Sequence, residues 1–155
     1  MKQIICLVLC LFATVGLAIA KGDKFPSYDI TGAGSGKEGM VLVKVFVYAK
    51  KVSDQDLKRC AVHGIVFRGC MGNNSGASQP ALASPTAETD NAEFCEVFFS
   101  EDGACQGYAS IVPGSYERVK TSKGYKQGAI IQVNKKALRK DLEKSGLVRP
   151  LSFGF

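Results

Sequence analysis

MVLVKVFVYAKKVSDQDLKRCAVHGIVFRG, Met40 to Gly69, is the stretch around which the chain is organised. Val41, Val43, Val45 and Val47 fall on one side of a period-two run, and Met40, Leu42, Phe46 and Tyr48 on the other, interrupted by Lys44. β-Branched and aromatic residues suit a pleated surface. Apolar character on both sides predicts a central strand covered, at least in part, on both faces. Lys50 and Lys51 end the strand, and a helix cap follows. Ser53 is placed to accept from a free amide of the first turn, and Asp56 to reach back to it. Val52 and Leu57 form the matching hydrophobic staple, and Asp54 and Asp56 sit at the positive end of the helix dipole. Leu57, Ala61, Gly64, Ile65 and Arg68 recur at helical spacing, with Cys60 beside them, which predicts a helix over Asp54–Phe67.

Towards the C-terminus, Asn91 to Glu101 reads as a second helix with Phe94, Cys95, Phe98 and Phe99 on its apolar side. Cys105 to Val112 reads as a strand, with a turn at Pro113-Gly114. Tyr116–Lys120 and Tyr125–Val133 form a hairpin around Ser122-Lys123-Gly124. Asn134 then caps a last helix, with Val133 and Leu138 as its staple, Leu138 and Leu142 towards the core, and Gly146 as the stop. Strands mixed with helices in this order predict an α+β fold. The sheet is expected to be small, mixed or antiparallel, of three to four strands, with helices packed on one face. Residues 40–155 are expected to form the single domain.

The first twenty residues, MKQIICLVLCLFATVGLAIA, have the form of an export signal: one lysine, an apolar core and a small-x-small site at Ala18-Ile19-Ala20. Cleavage after Ala20 would leave no membrane span, and Cys10, behind the bulky Leu9, is misplaced for lipidation. The expected location is periplasmic or secreted. Residues 21–39 read as a flexible lead-in. Within them TGAGSGKEG has a superficial likeness to a phosphate loop, but Thr31 stands at the first glycine position and Glu38 where a magnesium-binding Ser or Thr is needed. Residues 70–91 are rich in Gly, Ser, Asn and Pro and read as a long loop. It contains a glycosylation sequon, Asn73-Asn74-Ser75.

Catalytic chemistry finds few candidates. His63 is the single histidine, and its mid-helix position predicts a structural or surface role. The C-x9-C spacings of Cys60 to Cys70 and Cys95 to Cys105 are not those of zinc modules, so neither metal nor cofactor is expected. The absence of C-x-x-C argues against thiol–disulfide exchange. In an oxidising compartment these four cysteines are expected to form two disulfides. A Cys60–Cys70 pair is disfavoured, because most of that span is helix and holds the two residues apart. The other two connectivities, each joining Cys60 and Cys70 to Cys95 and Cys105, remain open.

The net charge of +6 conceals a segregation. Between Arg68 and Arg118 there is no Lys or Arg, while seven acids occur; from Arg118 onward ten basic residues face two acids. Such halves are expected first as ordinary solvated faces, and otherwise as groups that neutralise each other within the fold or pair head to tail between molecules. Nucleic acid is a poor partner for an exported chain with such an acidic segment.

AVHGIVFRG (Ala61–Gly69), SQPAL (Ser78–Leu82), YKQGAIIQVNKKALRKDLEKSGLVRPLSFGF (Tyr125–Phe155) and the leader together resemble a group of small, uncharacterised exported proteins of Bacteroidetes. That resemblance implies no activity and no catalytic residue. The strand, capped helix, hairpin and terminal helix are similar to the small α+β modules of a family of envelope lipoproteins and flagellar-assembly proteins, from which this chain departs in having no lipidation site. The expected role is a non-enzymatic binding or assembly module of the envelope, with an envelope or secreted protein, or a second copy of itself, as partner. Gln79, Pro80, Glu93, Glu96 and Asp102 are the candidate interaction residues. The alternatives are a small secreted hydrolase using carboxylates and a secreted protease inhibitor presenting the Gln79-Pro80 loop.

Overall fold

The computed structural model describes residues 25–72 and 78–151. The leader with its cleavage site and Cys10, and the sequon Asn73-Asn74-Ser75, lie outside the described residues. The chain runs β1 (Tyr28–Ser35), β2 (Met40–Val47), α1 (Asp54–His63, continued by a π-helical turn over Gly64–Arg68), β3 (Met71–Gly72), α2 (Ala87–Asp90) and α3 (Ala92–Phe98). A 3-10 turn (Ala104–Tyr108) then leads into β4 (Ala109–Ile111), β5 (Glu117–Thr121), β6 (Gly124–Asn134) and α4 (Lys135–Lys144). The fold is α+β, but the sheet has six strands rather than three or four. Its order is β3-β1-β2-β6-β4, with β5 also paired to β6. Only the short β1–β3 pair is parallel.

The central strand is β2, held antiparallel by β1 on one side and β6 on the other. Val41, Val43, Val45 and Val47 are buried, as are Ala129, Ile131 and Val133 opposite them on β6. The other side of β2 is half-buried, a partial cover. Lys44 accounts for this. Its ammonium and that of Lys126 lie over the Phe46 ring, 5.2 and 4.5 Å from the centroid, and keep their charges at the water boundary.

Residues 28–35 are strand β1 and not part of a mobile lead-in. Tyr28 and Ile30 are the only large apolar residues on this strand. Its order comes from the backbone ladder to β2, with an irregularity at Gly32–Gly34, and that ladder leaves no mark in composition. Gly39, at φ 79°, closes the β1–β2 turn. The described parts of the 70–91 segment, residues 70–72 and 78–91, are likewise not a free loop. Cys70 and Gln79 exchange backbone hydrogen bonds at 2.8 Å, Ala83 donates to the Val66 carbonyl at 2.9 Å, and Ala83 and Ala87 are buried. Cys105 begins no strand: the 3-10 turn covers it and β4 starts only at Ala109.

The helix ends follow their local chemistry. The Ser53 Oγ accepts from the Asp56 amide at 3.1 Å while the Asp56 carboxylate accepts from the Ser53 amide, also at 3.1 Å, completing the capping box. Asn134 Oδ1 accepts from the Ala137 amide at 3.0 Å. Past α4, Leu147 donates to the Leu142 carbonyl and Gly146, at φ 82°, to that of Glu143, which is the Schellman closure. Among the described residues no helix is long and apolar enough to cross a membrane.

Gly128 of β6 has no room for a side chain: a Cβ there would overlap the Val45 carbonyl oxygen and stand 2.6 Å from the Phe46 ring. Gly128→Ala is therefore expected to cost about 1–3 kcal/mol, whereas Gly107→Ala, with nothing within 4 Å of the new Cβ, changes stability far less. Chemical denaturation of the two variants side by side measures the difference.

Candidate functional site

One polar network runs through the core on the helix side of the sheet. His63, 5% exposed, ends the regular part of α1. Its Nδ1 lies 2.6 Å from the Tyr28 hydroxyl on β1, and its Nε2 lies 3.0 Å from Glu88 Oε1 on α2. A carboxylate only accepts, so Nε2 carries a hydrogen and donates to Glu88. A neutral ring then leaves Nδ1 to accept from the tyrosine. Phe25, Phe67 and Phe99 surround the imidazole at centroid distances of 4.2, 5.1 and 5.3 Å.

Burial in that apolar cage lowers the His63 pKa from its ordinary 6.5, outweighing the hydrogen bond and charge of Glu88. The His63–Glu88 contact is thus a hydrogen bond to a neutral ring near pH 7 rather than an ion pair. Burial pushes the Tyr28 hydroxyl well above its usual range, against the opposing pull of Arg68. The Arg68 guanidinium lies 4.1 Å from the centroid of the Tyr28 ring and donates to the Tyr28 carbonyl at 3.3 Å. The network joins β1, α1 and α2, and its histidine faces side chains on all sides. Because the folded state resists protonation of His63, its contribution to stability is complete above pH 6.5 and declines as pH falls below that value. Urea unfolding between pH 7 and pH 5 is expected to show this decline, and His63→Gln to flatten it.

Beside the network Arg59 is 4% exposed. It donates to Asp56 Oδ1 at 3.2 Å and lies over the Phe25 ring at 4.9 Å, while its Nε has no protein partner among the described residues. A cleft of about 340 Å³ opens next to it, with Phe25, Cys95 and Phe99 on its walls and Glu96, Glu101 and Asp102 on its rim. Two of the sequence-derived candidates, Glu96 and Asp102, therefore meet, and Glu93 stands outside. All three of these carboxylates are exposed.

Gln79 and Pro80 are placed elsewhere. Gln79 accepts from Lys135 Nζ at 2.6 Å, tying this segment to α4. Pro80 crosses Gly69, where a Cβ would meet the Gln79 carbonyl oxygen at 2.5 Å.

No disulfide joins the four cysteines, in contrast to the expectation from export. Cys60, Cys70, Cys95 and Cys105 are free and buried in separate niches: on α1, at the Gln79 bridge, on α3 and in the 3-10 turn. Each fills core space as a small apolar side chain. Spacing along the chain carried no information on where the sulfurs point. Burial raises the Cys60 thiol to about 12 and those of Cys95 and Cys105 to about 11, and raises Cys70 as well. Since thiolate is the reactive form, all four are expected to resist alkylation in the folded protein and react once denaturant is added. Peptide mapping after iodoacetamide treatment reads this out.

The surface carries two further features. On the solvent side of α3, Val97 is 73% exposed and Phe94 is exposed over the stacked Phe98 ring. Glu93 and Glu96 flank them, and Glu101 and Asp102 follow; none of these four makes an ion pair among the described residues. Elsewhere the β5–β6 hairpin reaches beyond the end of β2, whose last residue pairs with Gln127. A groove of about 780 Å³ beside its turn is lined by Tyr48, Lys50, Arg118, Lys123 and Tyr125, with no acid in the lining. Hairpin periodicity was readable from sequence, but the groove was not, because residues 27 and 48–50, distant in the chain, complete it where β2 ends beside the start of β6.

Comparison of the chain with protein-family models, with curated proteins and with solved structures finds no match.

Proposed function

We propose that this chain is a non-enzymatic binding or assembly module, exported to the periplasm or beyond the cell, which holds a protein partner of basic character on the exposed side of α3. The observation that carries this reading is the pair Phe94 and Val97, left in water and flanked by carboxylates without cationic partners among the described residues. An apolar centre inside a charged rim is the usual anatomy of a docking surface. Charge on the rim steers the encounter while the apolar centre supplies the contact.

The rest of the molecule supports the same reading. The single histidine is enclosed and hydrogen-bonded at both nitrogens, so it serves the fold rather than a substrate. The thiols are buried and raised in pKa. Export rests on the leader sequence, and buried thiols survive an oxidising compartment because they present no thiolate to it.

A photo-crosslinking residue placed at Val97 in cells expressing the chain tests the proposal. Crosslinks to a protein partner are expected, and they should be lost on Glu93→Lys with Glu96→Lys. They should also weaken as salt rises, since exposed charges are screened beyond about 8 Å at physiological ionic strength. The same probe at the exposed Lys140 on α4 should capture nothing comparable. Equal capture at both positions would overturn the reading.

A further inference from the structure

The groove beside the turn of the β5–β6 hairpin has the chemistry that the α3 face lacks. It presents the Arg118 guanidinium, 4.2 Å from the Tyr125 ring centroid, together with Lys50 and Lys123. Tyr125 and Tyr48 supply exposed aromatic surface in the same groove. The α3 face offers the converse: Phe94 and Val97 with Glu93, Glu96 and Glu101. Both surfaces belong to one chain, yet among the described residues no ion pair connects them. The cations of the hairpin region that do find carboxylates find them on the sheet: Lys126 reaches Asp29 at 3.6 Å, and Lys44 pairs with Glu117. Arg118, Lys50 and Lys123 make no ion pair among the described residues. The charge segregation of the sequence is thus not neutralised between these two surfaces within the fold.

We propose that the basic, tyrosine-lined groove of one molecule receives the α3 face of a second copy of the same chain. This rests on the docking role assigned to α3 above and names the partner. Opposite charges on exposed surfaces attract over a Debye length and orient the encounter. At contact, Phe94 and Val97 lie against Tyr48 and Tyr125, and the carboxylates of α3 meet Arg118, Lys50 and Lys123. Arginine held on a tyrosine ring is preorganised for a carboxylate. The two surfaces are different patches, so the contact is heterologous: each copy joined leaves one free groove and one free α3 face. Such an arrangement grows into open chains or closes into a ring, and does not stop at a two-fold dimer.

Two complementary variants test this on protein purified from cells expressing the full chain. Glu93→Lys with Glu96→Lys disables the α3 face and keeps the groove. Arg118→Glu with Lys123→Glu disables the groove and keeps the α3 face. All four positions are exposed, and circular dichroism verifies that the fold persists. In sedimentation velocity at low salt the wild type is expected to grow in size with concentration and to dissociate as salt is raised. Each variant alone should lose association at least tenfold. An equimolar mixture should grow again, with the two variants alternating, because the unaltered groove of one meets the unaltered α3 face of the other and the two reversed surfaces are complementary in turn. Combining all four reversals in one chain should restore growth. A wild type that stays monomeric at every concentration overturns the self-pairing, and so does a mixture that fails to associate while the wild type does. If the wild type is monomeric but the Val97 crosslinks still depend on Glu93 and Glu96, the α3 docking reading stands with a different basic partner. If the crosslinks are also indifferent to those charges, both readings fall.

Discussion

The pairing of β2 with β6 sets the positions of nearly everything else. Over eight residues, from Met40 opposite Asn134 to Val47 opposite Gln127, it brings four valines into register with Ala129, Ile131 and Val133. One continuous apolar surface results. A slip of one residue would turn that whole set to the other side, so burial on a single face holds the register. Because the strands are antiparallel, β2 ends where β6 begins. α1 and α4 accordingly leave from opposite ends of the sheet, both returning over the valine side, with Leu57, Val62, Ile65, Leu138 and Leu142 buried there. The Lys136 amide, in the first turn of α4, donates to the Gly39 carbonyl at 3.0 Å and joins that helix to the β1–β2 turn.

A second constraint is polar. Tyr28, His63 and Glu88 lie far apart in the chain, and their hydrogen bonds join the first strand, the central helix and the segment after it. Each polar atom that enters this aromatic enclosure must find a partner, since an unpaired one would cost more than the bond is worth. The arrangement of partners therefore discriminates between packings more sharply than apolar contact does. It also explains why residues 78–91, polar and loop-like in composition, are held in place: Glu88, Ala83 and Ala87 anchor them to α1.

The cysteines and the charges show how location changes the meaning of a residue. Four cysteines in an exported chain suggest cross-links, yet here they behave as small core residues, shielded by the same burial that raises their thiol pKa values. The carboxylates and cations do the opposite. Most of them remain at the surface, with exposed Phe94 and Val97 near the acids of α3 and exposed Tyr125 near the cations of the hairpin, so the charge pattern is directed outward.

By itself the sequence determined the features that depend on a few neighbouring residues. The capping box at Ser53 and Asp56, the Asn134 cap, the Gly146 closure, the β5–β6 hairpin and the valine stripe are local, and each follows from side-chain chemistry within one or two turns. Tertiary structure alone decided the features that depend on what lies opposite. β1 is ordered by a backbone ladder that composition does not record. One side of β2 stays half-open because Lys44 and Lys126 roof Phe46. The four sulfurs are kept apart by the elements that carry them. His63 acquires its neutral, enclosed character only when Tyr28, Glu88 and three phenylalanines converge from distant parts of the chain. Periodicity reports which side of an element is apolar; it does not report which other element will cover that side, and the site residues are set by that second choice.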